Sequence, residues 1–326
     1  MTMTTRDTTA PSSGRFEDEV PVPVPVRVAP VRNARKRLLR GDLTGWAFVA
    51  PAMLIILGLS IFPAVWAFVL SLQKWNGFAP PEFIGGDNYS RLMSDAEFWD
   101  AVTHTGIYVV LFVPASVLLG LFLAVALNRN IRFVGIYRTA IFVPFVASAA
   151  ATGILSTYLF SPQYGLANNA LRTVGLPAQG WLEDPQQAML VIAIMSLWGQ
   201  AAFTTVIYLA ALQDIPNDLL EAARIDGANS WQTFWRIVWP ELGPVTVFVT
   251  IWQMIGALQL FDLVYTTTRG GPLDATKTIV YFLWEKAFKT LEFGYGSAAA
   301  YVLFAVTLLI TIGMVLYARS RKMEAF

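Results

Sequence analysis

Long apolar stretches alternate with short polar segments over most of this 326-residue chain. A membrane interior about 30 Å thick takes about 20 apolar residues in a helix, and a helix satisfies its own backbone hydrogen bonds in lipid. The pattern therefore predicts an all-α integral membrane protein with six transmembrane helices. The predicted spans are residues 46–72, 100–127, 134–160, 187–212, 241–266 and 297–318.

The first 42 residues have a different composition, with a Pro-Val repeat at 21–26 and a basic cluster over 32–40. Such a segment buries too little apolar surface to fold alone, so we predict a disordered tail with a basic juxtamembrane cluster over 1–42. A signal peptide is rejected, because the apolar stretch that follows is too long and shows no small-residue cleavage site. Residues 43–326 are predicted to form a six-span domain.

Lys and Arg residues are distributed unequally between the two sets of connecting segments. Most of the 23 lie in the two terminal tails and in the two loops on that same side. Because cytoplasmic loops are enriched in Lys and Arg, both termini of this multi-pass protein are predicted to be cytoplasmic. Residues 73–99, 161–186 and 267–296 are then external, with short interfacial helices near residues 88–89 and 181–182.

Composition removes most catalytic chemistry. The chain has no cysteine, a single histidine (His104) and only 14% charged residues, against about 25% in soluble domains. Disulfides, thiolate catalysis and Cys-type metal sites are excluded, and a zinc cluster or a Ser-His-Asp triad has almost no material. The formal net charge of +1 indicates no nucleic-acid partner. We predict no catalytic residue, no metal and no cofactor in this chain.

The most informative segment lies between the fourth and fifth spans. Pro216 suits the first turn of a helix, Glu221 adds negative charge near its start, and Gly227 suits the left-handed residue that ends it. Asn229 or Ser230 can cap a second short helix. The first helix carries an apolar patch but is too short and too charged to cross lipid. It must therefore bury that patch on the membrane surface or in another protein's groove.

The run Glu221-Ala222-Ala223-x-x-Asp226-Gly227-Ala228, followed by Pro240 and Pro244, resembles the coupling-loop motif of binding-protein-dependent ABC importer permeases. The resemblance implies the type I importer permease fold, with a cytoplasmic coupling helix within residues 213–240 that sits in a cleft of the ATPase. The resemblance also implies that Glu221 is the acidic contact with the ATPase, that Ala222 and Ala223 allow the two proteins to approach closely, and that Gly227 forms the bend. Trp239 departs from the family pattern, which usually has Leu there. The residues assigned to coupling are Glu221, Ala222, Ala223, Asp226, Gly227 and Ala228.

Motifs elsewhere resemble the carbohydrate-uptake branch of that family, the maltose and sn-glycerol-3-phosphate type. They include Phe261-Asp262, Gly270-Gly271-Pro272 and Gly294-Tyr295-Gly296. The resemblance implies a bacterial inner-membrane permease that pairs with a second, non-identical permease, two ATPase subunits and an extracytoplasmic solute-binding protein. No Gly-x-x-x-x-Gly-Lys-[Ser/Thr] phosphate loop occurs, so ATP and Mg must be bound by the partner ATPase.

Polar side chains at membrane depth are expensive, so they should line an internal path or pack against other spans. Amide and hydroxyl groups beside aromatic rings suit a sugar. The candidates for the solute path are Ser148, Thr152, Ser196, Trp198, Gln200, Gln253 and Asp262. For the Ser and Thr residues, hydrogen bonding to the preceding helical turn is the alternative, and for Asp262 it is a helix-cap or interfacial role.

The predicted function is import of a sugar or related polyol, coupled to ATP hydrolysis by a partner subunit. Glycerol 3-phosphate or another small solute is an alternative, although we expect no Lys or Arg in the cavity to bind a phosphate. An ion-coupled secondary carrier is less favoured, because charged relays at mid-depth are almost absent. A membrane enzyme that uses Asp262 and His104 is a third alternative, without a supporting nucleophile.

Overall fold

The computed structural model describes residues 46–129 and 132–320, and these are predominantly helical. Four of the described helices are long and apolar enough to cross a membrane, and two bent helix pairs bring the number of spans to six. The predicted tail over residues 1–42 lies outside the described residues. The chain divides into two compact units at Leu59 and Ser60. In the first unit, the described residues 46–59 are helical and mostly exposed.

The first two spans are continuous helices joined by a small subdomain. In chain order the elements are α1 (Trp46–Ser71), β1 (Gln73–Lys74), β2 (Glu82–Phe83), α2 (Asp87–Ser94) and α3 (Ala96–Leu127). The strands pair antiparallel. The Asn88 amide donates to the carbonyl oxygens of Ser71 and Gln73 at 2.8 and 2.9 Å, which fastens α2 to the end of the first span. Asp95 then caps α3 by accepting the backbone N–H of Glu97.

The third predicted span needs correction, because it is a sharply bent pair of helices. The next elements are α4 (Val134–Val146), α5 (Ala149–Leu159), α6 (Leu166–Thr173), a 3₁₀ turn (Trp181–Glu183) and α7 (Ala188–Asp214). Helices α4 and α5 meet at 101°. Pro144 lies in the last turn of α4, Ala147 and Ser148 are extended, and the Ser148 hydroxyl caps α5 by accepting the Ala151 N–H at 3.2 Å.

The fifth predicted span, 241–266, is shorter than expected. The elements here are α8 (Asn217–Ile225), α9 (Ser230–Glu241), α10 (Gly243–Leu258) and α11 (Asp262–Thr266). Helix α9 meets α10 at 63°. Three non-helical residues separate α10 from α11, so the span proper ends at Leu258. Pro240 and Pro244 both lie near this bend, where each lacks the N–H that a continuing helix would need.

The segment predicted as an external loop at 267–296 contains a helix that the hydrophobic pattern missed. The last elements are α12 (Ile279–Trp284), a π-helical turn (Glu285–Lys289) and α13 (Phe293–Ser320). The side chains of Ile279, Tyr281 and Phe282 are buried. The apolar run is too short to cross lipid, so by length it resembles a loop. The folded chain instead packs it against α3 and α13.

Three apolar clusters hold the second unit together. One joins α3, α7, α10, α11 and α12, and a second joins α2, α3, α10, α12 and α13. The third joins the C-terminal halves of α3 and α7 to α10. Large apolar side chains such as Leu118 and Phe122 remain exposed on the surface of the spans, as a protein solvated by lipid allows. Helices α3 and α10 both contribute buried residues to all three clusters.

Candidate solute cavity and coupling segment

A cavity of about 310 Å³ lies where the third span breaks. Its walls come from the α4–α5 junction, from α3, α7 and α10, and from the chain between α10 and α11. Residues on both sides of the 101° bend, among them Phe145 and Ala149, line this space. The polar side chains that line the cavity are Tyr108, Thr152, Ser196, Gln200, Gln253, Gln259 and Asp262.

Five of the seven predicted path residues line this one cavity, and two do not. Ser148 lies between the lining residues Ala147 and Ala149 in sequence, but its hydroxyl caps α5. Trp198 lies outside the lining and is 43% exposed on α7. The roles of all seven residues in transport stay predictions.

Two of the lining residues also take part in hydrogen bonds within the helical framework. The Gln253 side chain is buried and its amide donates to the Ser116 hydroxyl, which joins α10 to α3. Thr152 is buried too, and its backbone carbonyl accepts the Ser156 hydroxyl. Ser196, on α7, hydrogen-bonds to the Tyr108 hydroxyl. Gln200, also on α7, forms no side-chain hydrogen bond among the described residues, so its amide is available to a solute.

Aromatic rings form part of the wall that sequence reasoning missed. Tyr108 and Phe112 stack at 5.2 Å and 7° on α3, and Phe145 and Phe261 complete the lining. Phe145 reaches the cavity because it follows Pro144 at the end of α4. The aromatic content of the spans was a signal, but the sequence alone cannot say which ring faces inward. An apolar face beside amides and hydroxyls is suited to a pyranose ring.

The charge of the cavity wall is acidic. Asp262, the first residue of α11, is the single ionisable carboxylate among the lining residues, and none of them is Lys, Arg or His. Its position also places negative charge at the positive end of α11. The helix-start role that the sequence offered as an alternative is therefore compatible with cavity lining. An anionic solute would meet repulsion here without a compensating cation.

A buried ion cluster holds the end of the bundle that the sequence predicts to be external, here called the outer end. The Lys277 side chain is only 9% exposed, and its ammonium lies 2.8 Å from Glu97, 3.0 Å from Glu285 and 3.1 Å from Asp274. Lys286 also contacts Glu97, at 2.7 Å. The cluster links the π-helical turn to α3, and sequence reasoning did not foresee it.

The cluster changes the titration of its members. Burial alone would lower the pKa of Lys277, but hydrogen bonds to Glu97, Glu285 and Asp274 outweigh it and raise that pKa above its usual range. Burial likewise would raise the pKa of Glu285, yet hydrogen bonds from Lys277 and Lys289 lower it. Lys277 and Glu285 thus each favour the charged state of the other.

The coupling segment consists of α8, the turn at Gly227 and the start of α9. Gly227 has φ of +74°, as the sequence predicted, and its N–H donates to Arg224 O at 3.1 Å. The Ala228 N–H donates to Ala223 O at 2.9 Å, which completes a Schellman-type ending. Asn229 forms the predicted cap, in a reciprocal capping box with Gln232. Pro216 precedes α8 as its cap residue, one position before the predicted first turn.

The apolar patch of α8 is divided between the protein's own core and the surface. Ala223 is buried, and Leu220 packs against the cluster of α3, α7 and α10. Leu219 and Ile225 remain exposed. Part of the patch that the sequence assigned to a partner is therefore already covered by this chain. The exposed members of the assigned coupling set are Glu221, Ala222, Asp226 and Gly227.

Comparison with known proteins gives these features a family. Residues 116–323 match the family described as binding-protein-dependent transport system inner membrane component. The lactose transport system permease protein LacF of Rhizobium radiobacter is 38% identical over 297 residues, covering 89% of this chain and 98% of that protein. The trehalose/maltose transport system permease protein MalF of Thermococcus litoralis is 33% identical, over 85% and 94%. The sn-glycerol-3-phosphate transport system permease protein UgpA of Agrobacterium fabrum is 33% identical, over 82% and 91%.

A solved structure shares the fold. The chain superposes with a TM-score of 0.77 on a chain of a bacterial alginate ABC transporter crystallised with an alginate-pentasaccharide-bound periplasmic protein. The match covers 90% of this chain and all of the other, at 20% identity. The type I permease fold predicted from the sequence is confirmed. This chain belongs to the family of binding-protein-dependent transport system inner membrane components. It is a membrane permease subunit of an ABC importer that works with a solute-binding protein.

Proposed function

We propose that this chain carries a neutral sugar or polyol through the cavity at the α4–α5 break and into the cytoplasm. The observation that carries the proposal is the cavity wall: amides, hydroxyls and aromatic rings surround one carboxylate, with no cation among the lining residues. A sugar needs donors and acceptors for its hydroxyls and a flat apolar surface for its C–H face. Two of the similar proteins are named for lactose and for trehalose and maltose.

A phosphorylated solute is the second candidate, because one similar protein is named for sn-glycerol 3-phosphate. Phosphate recognition normally uses Arg or Lys, and this cavity wall offers Asp262 instead. The cation would have to come from the second permease. The charge of this chain's own wall therefore favours the neutral solute.

The energy for transport comes, in this proposal, from two ATPase subunits that bind ATP and Mg and dock on α8 and the Gly227 turn. The chain forms a heterodimer with a second homologous permease in the bacterial inner membrane, with both termini cytoplasmic. Closure of the ATPase dimer displaces α8, and the bent α9–α10 pair carries that displacement to the cavity. The exposed Glu221 carboxylate is the contact with the ATPase.

Uptake into proteoliposomes that contain the assembled transporter and its binding protein tests this proposal, with labelled lactose, maltose and glycerol 3-phosphate as probes. We expect ATP-dependent uptake of a neutral sugar and none of glycerol 3-phosphate. Gln200→Ala should lower uptake about tenfold, since a lost hydrogen bond to a solute is worth about 1 kcal/mol or slightly more. Gln186→Ala, an exposed position outside the cavity, is the matched control and should leave uptake unchanged.

The rival from another class is an ion-coupled carrier. It would use Asp262 as the proton or cation site, because its carboxylate is the only one among the lining residues. Uptake that survives ATP depletion, collapses with an uncoupler and is lost in Asp262→Asn would establish the carrier and contradict the proposal. Uptake that requires ATP and ignores the uncoupler supports the importer.

A further inference from the structure

A second cleft, of about 580 Å³, lies at the outer end of the bundle. It is bounded by the last turn of α5, the chain at 161–164, the 3₁₀ turn at 181–183, and the loop at 267–272. We call it the outer cleft. It shares no lining residue with the central cavity.

The side chains of the outer cleft have the chemistry of a sugar site. Tyr158 and Tyr164 are 63% and 68% exposed although they are large aromatic residues, so their rings are accessible to a ligand. Gln163 is exposed, and its amide nitrogen makes no hydrogen bond to the described residues. The Glu183 carboxylate is exposed on the opposite wall, and no Lys or Arg lines the cleft. Aromatic faces beside an amide and a carboxylate fit a neutral, hydroxyl-rich ring, and the carboxylate disfavours an anion.

The outer cleft and the central cavity lie along the same helix. Thr152 of α5 lines the central cavity, while Thr157 and Tyr158 of the same helix line the outer cleft. On the facing side, Leu263 belongs to the central cavity and Thr267 to the outer cleft. About one and a half helical turns separate the two sites, which is roughly 8 Å along the α5 axis.

A close helix contact lies between the two sites. Gly153 of α5 packs against Thr266 at the end of α11, so closely that a Cβ atom at position 153 would overlap the Thr266 hydroxyl. The Thr266 hydroxyl donates to Asp262 O at 2.7 Å and is thereby held in place. In this conformation a solute in the outer cleft is separated from the central cavity by that contact.

From this arrangement we infer that the outer cleft is a second, transient binding subsite for the neutral sugar that passes through the central cavity. The inference rests on the proposed function, because the same solute occupies both sites in turn. Tyr164 and Tyr158 supply stacking surfaces, and Gln163 and Glu183 supply hydrogen-bonding groups. The sugar released by the binding protein is held there until α5 and α11 separate at the Gly153–Thr266 contact.

The natural absence of cysteine makes a direct test possible. Gln163→Cys places one thiol in the outer cleft, and Thr173→Cys, exposed at the end of α6 and outside both sites, is the matched control. Both variants are assembled into the complete transporter in proteoliposomes, with partner subunits free of reactive cysteine. The rate of modification by an impermeant thiosulfonate reagent is then measured with lactose, maltose, glycerol 3-phosphate or no solute.

We expect the transported sugar to slow modification at position 163 about fivefold, since ring stacking and its hydrogen bonds provide roughly that occupancy at millimolar sugar. Position 173 should be unaffected, and glycerol 3-phosphate should not protect either position. Equal rates at position 163 with and without sugar would overturn the inference. Protection by the sugar-free binding protein, but not by sugar, would also overturn it, because the cleft would then be a protein-docking surface.

A second pair of variants keeps the test informative if the thiol variant assembles poorly. Tyr164→Ala should lower the initial rate of uptake about fivefold by removing the stacking ring, while Thr173→Ala, at an exposed position outside both sites, should keep it near the wild-type rate. Uptake by the Tyr164→Ala variant at the wild-type rate would contradict the outer subsite and leave the proposed function intact. Absence of any sugar uptake by the wild-type complex would contradict the proposed function itself, so the two failures are distinguishable.

Discussion

The outer end of the bundle and the coupling segment at the opposite end are built differently. At the outer end, Lys277 and its carboxylates are drawn from α3 and from the residues around α12, and an ion pair between Arg91 and Glu292 joins α2 to the start of α13. In the coupling segment, over the described residues 216–241, hydrogen bonds are local and no ion pair is found. Long-range polar contacts fix the first region, whereas local caps and turns shape the second.

This difference indicates where the fold is expected to yield. A region held by charges from distant parts of the chain moves as one body, because displacing any member leaves a buried charge unpaired. A helix joined to the bundle by a glycine turn and one apolar face can tilt while keeping its internal hydrogen bonds. We therefore expect the coupling segment to be displaced during transport and the outer end to stay rigid while the spans move relative to it.

Replacing one glycine in each region tests this difference between the coupling segment and the outer end. Gly227 and Gly175 both have positive φ and both donate to the carbonyl three residues earlier, one ending α8 and the other ending α6. Proline fixes φ near −65° and lacks the donor, so either replacement costs about 3 kcal/mol locally. We expect Gly227→Pro to reduce ATP-dependent uptake to background while the protein still reaches the membrane. Gly175→Pro should leave uptake within about twofold of wild type, within the range of a surface change.

Membrane fractionation and uptake measured on the same preparations check this prediction. Loss of uptake in both variants would mean that any distortion of a helix end stops transport. Normal uptake in Gly227→Pro would remove the coupling role from the turn.

The second prediction concerns the ion cluster. Lys277→Met should lower the free energy of unfolding by about 2 kcal/mol, because Glu97 and Glu285 each lose one of the two cations that pair with them. Arg91→Ala breaks a more exposed pair and should cost less than about 1 kcal/mol. Thermal unfolding of the purified complex in detergent compares the two. A Lys277→Met loss no larger than that of Arg91→Ala would show that the outer end is not held by this cluster.

The third prediction is an acid dependence of stability, smaller than the loss from the substitution. The pKa of Glu285 is lower in the folded protein than its usual value of 4.5, so its contribution is present above that pH. As pH falls through the lowered pKa, the folded protein must also bind the proton and the contribution is lost. Unfolding temperatures should therefore decline below about pH 4.5. In Lys277→Met this decline should be shallower, and an unchanged slope would contradict the assignment to Glu285.

The sequence predicted those features of the fold that depend only on residues close together in the chain. The Gly227 turn, the Asn229 cap and the number of spans follow from spacing, capping chemistry and apolar length. The ion cluster did not follow, since Lys277 meets Glu97 across 180 positions and nothing local marks either residue. The break at Ala147 was also missed, because the apolar run continues across it and membrane helices tolerate a proline such as Pro144. Consequently the lining of the cavity was only partly predicted.

The distribution of the Lys277 partners has a consequence for how the protein is made. Glu97 lies at the start of the second span, whereas Lys277 and Glu285 lie between the fifth and sixth. Because a chain is made from its N-terminus, Glu97 is synthesised about 180 residues before its partner Lys277. The ion cluster can therefore form only late in synthesis, when α12 is available to pack against α3.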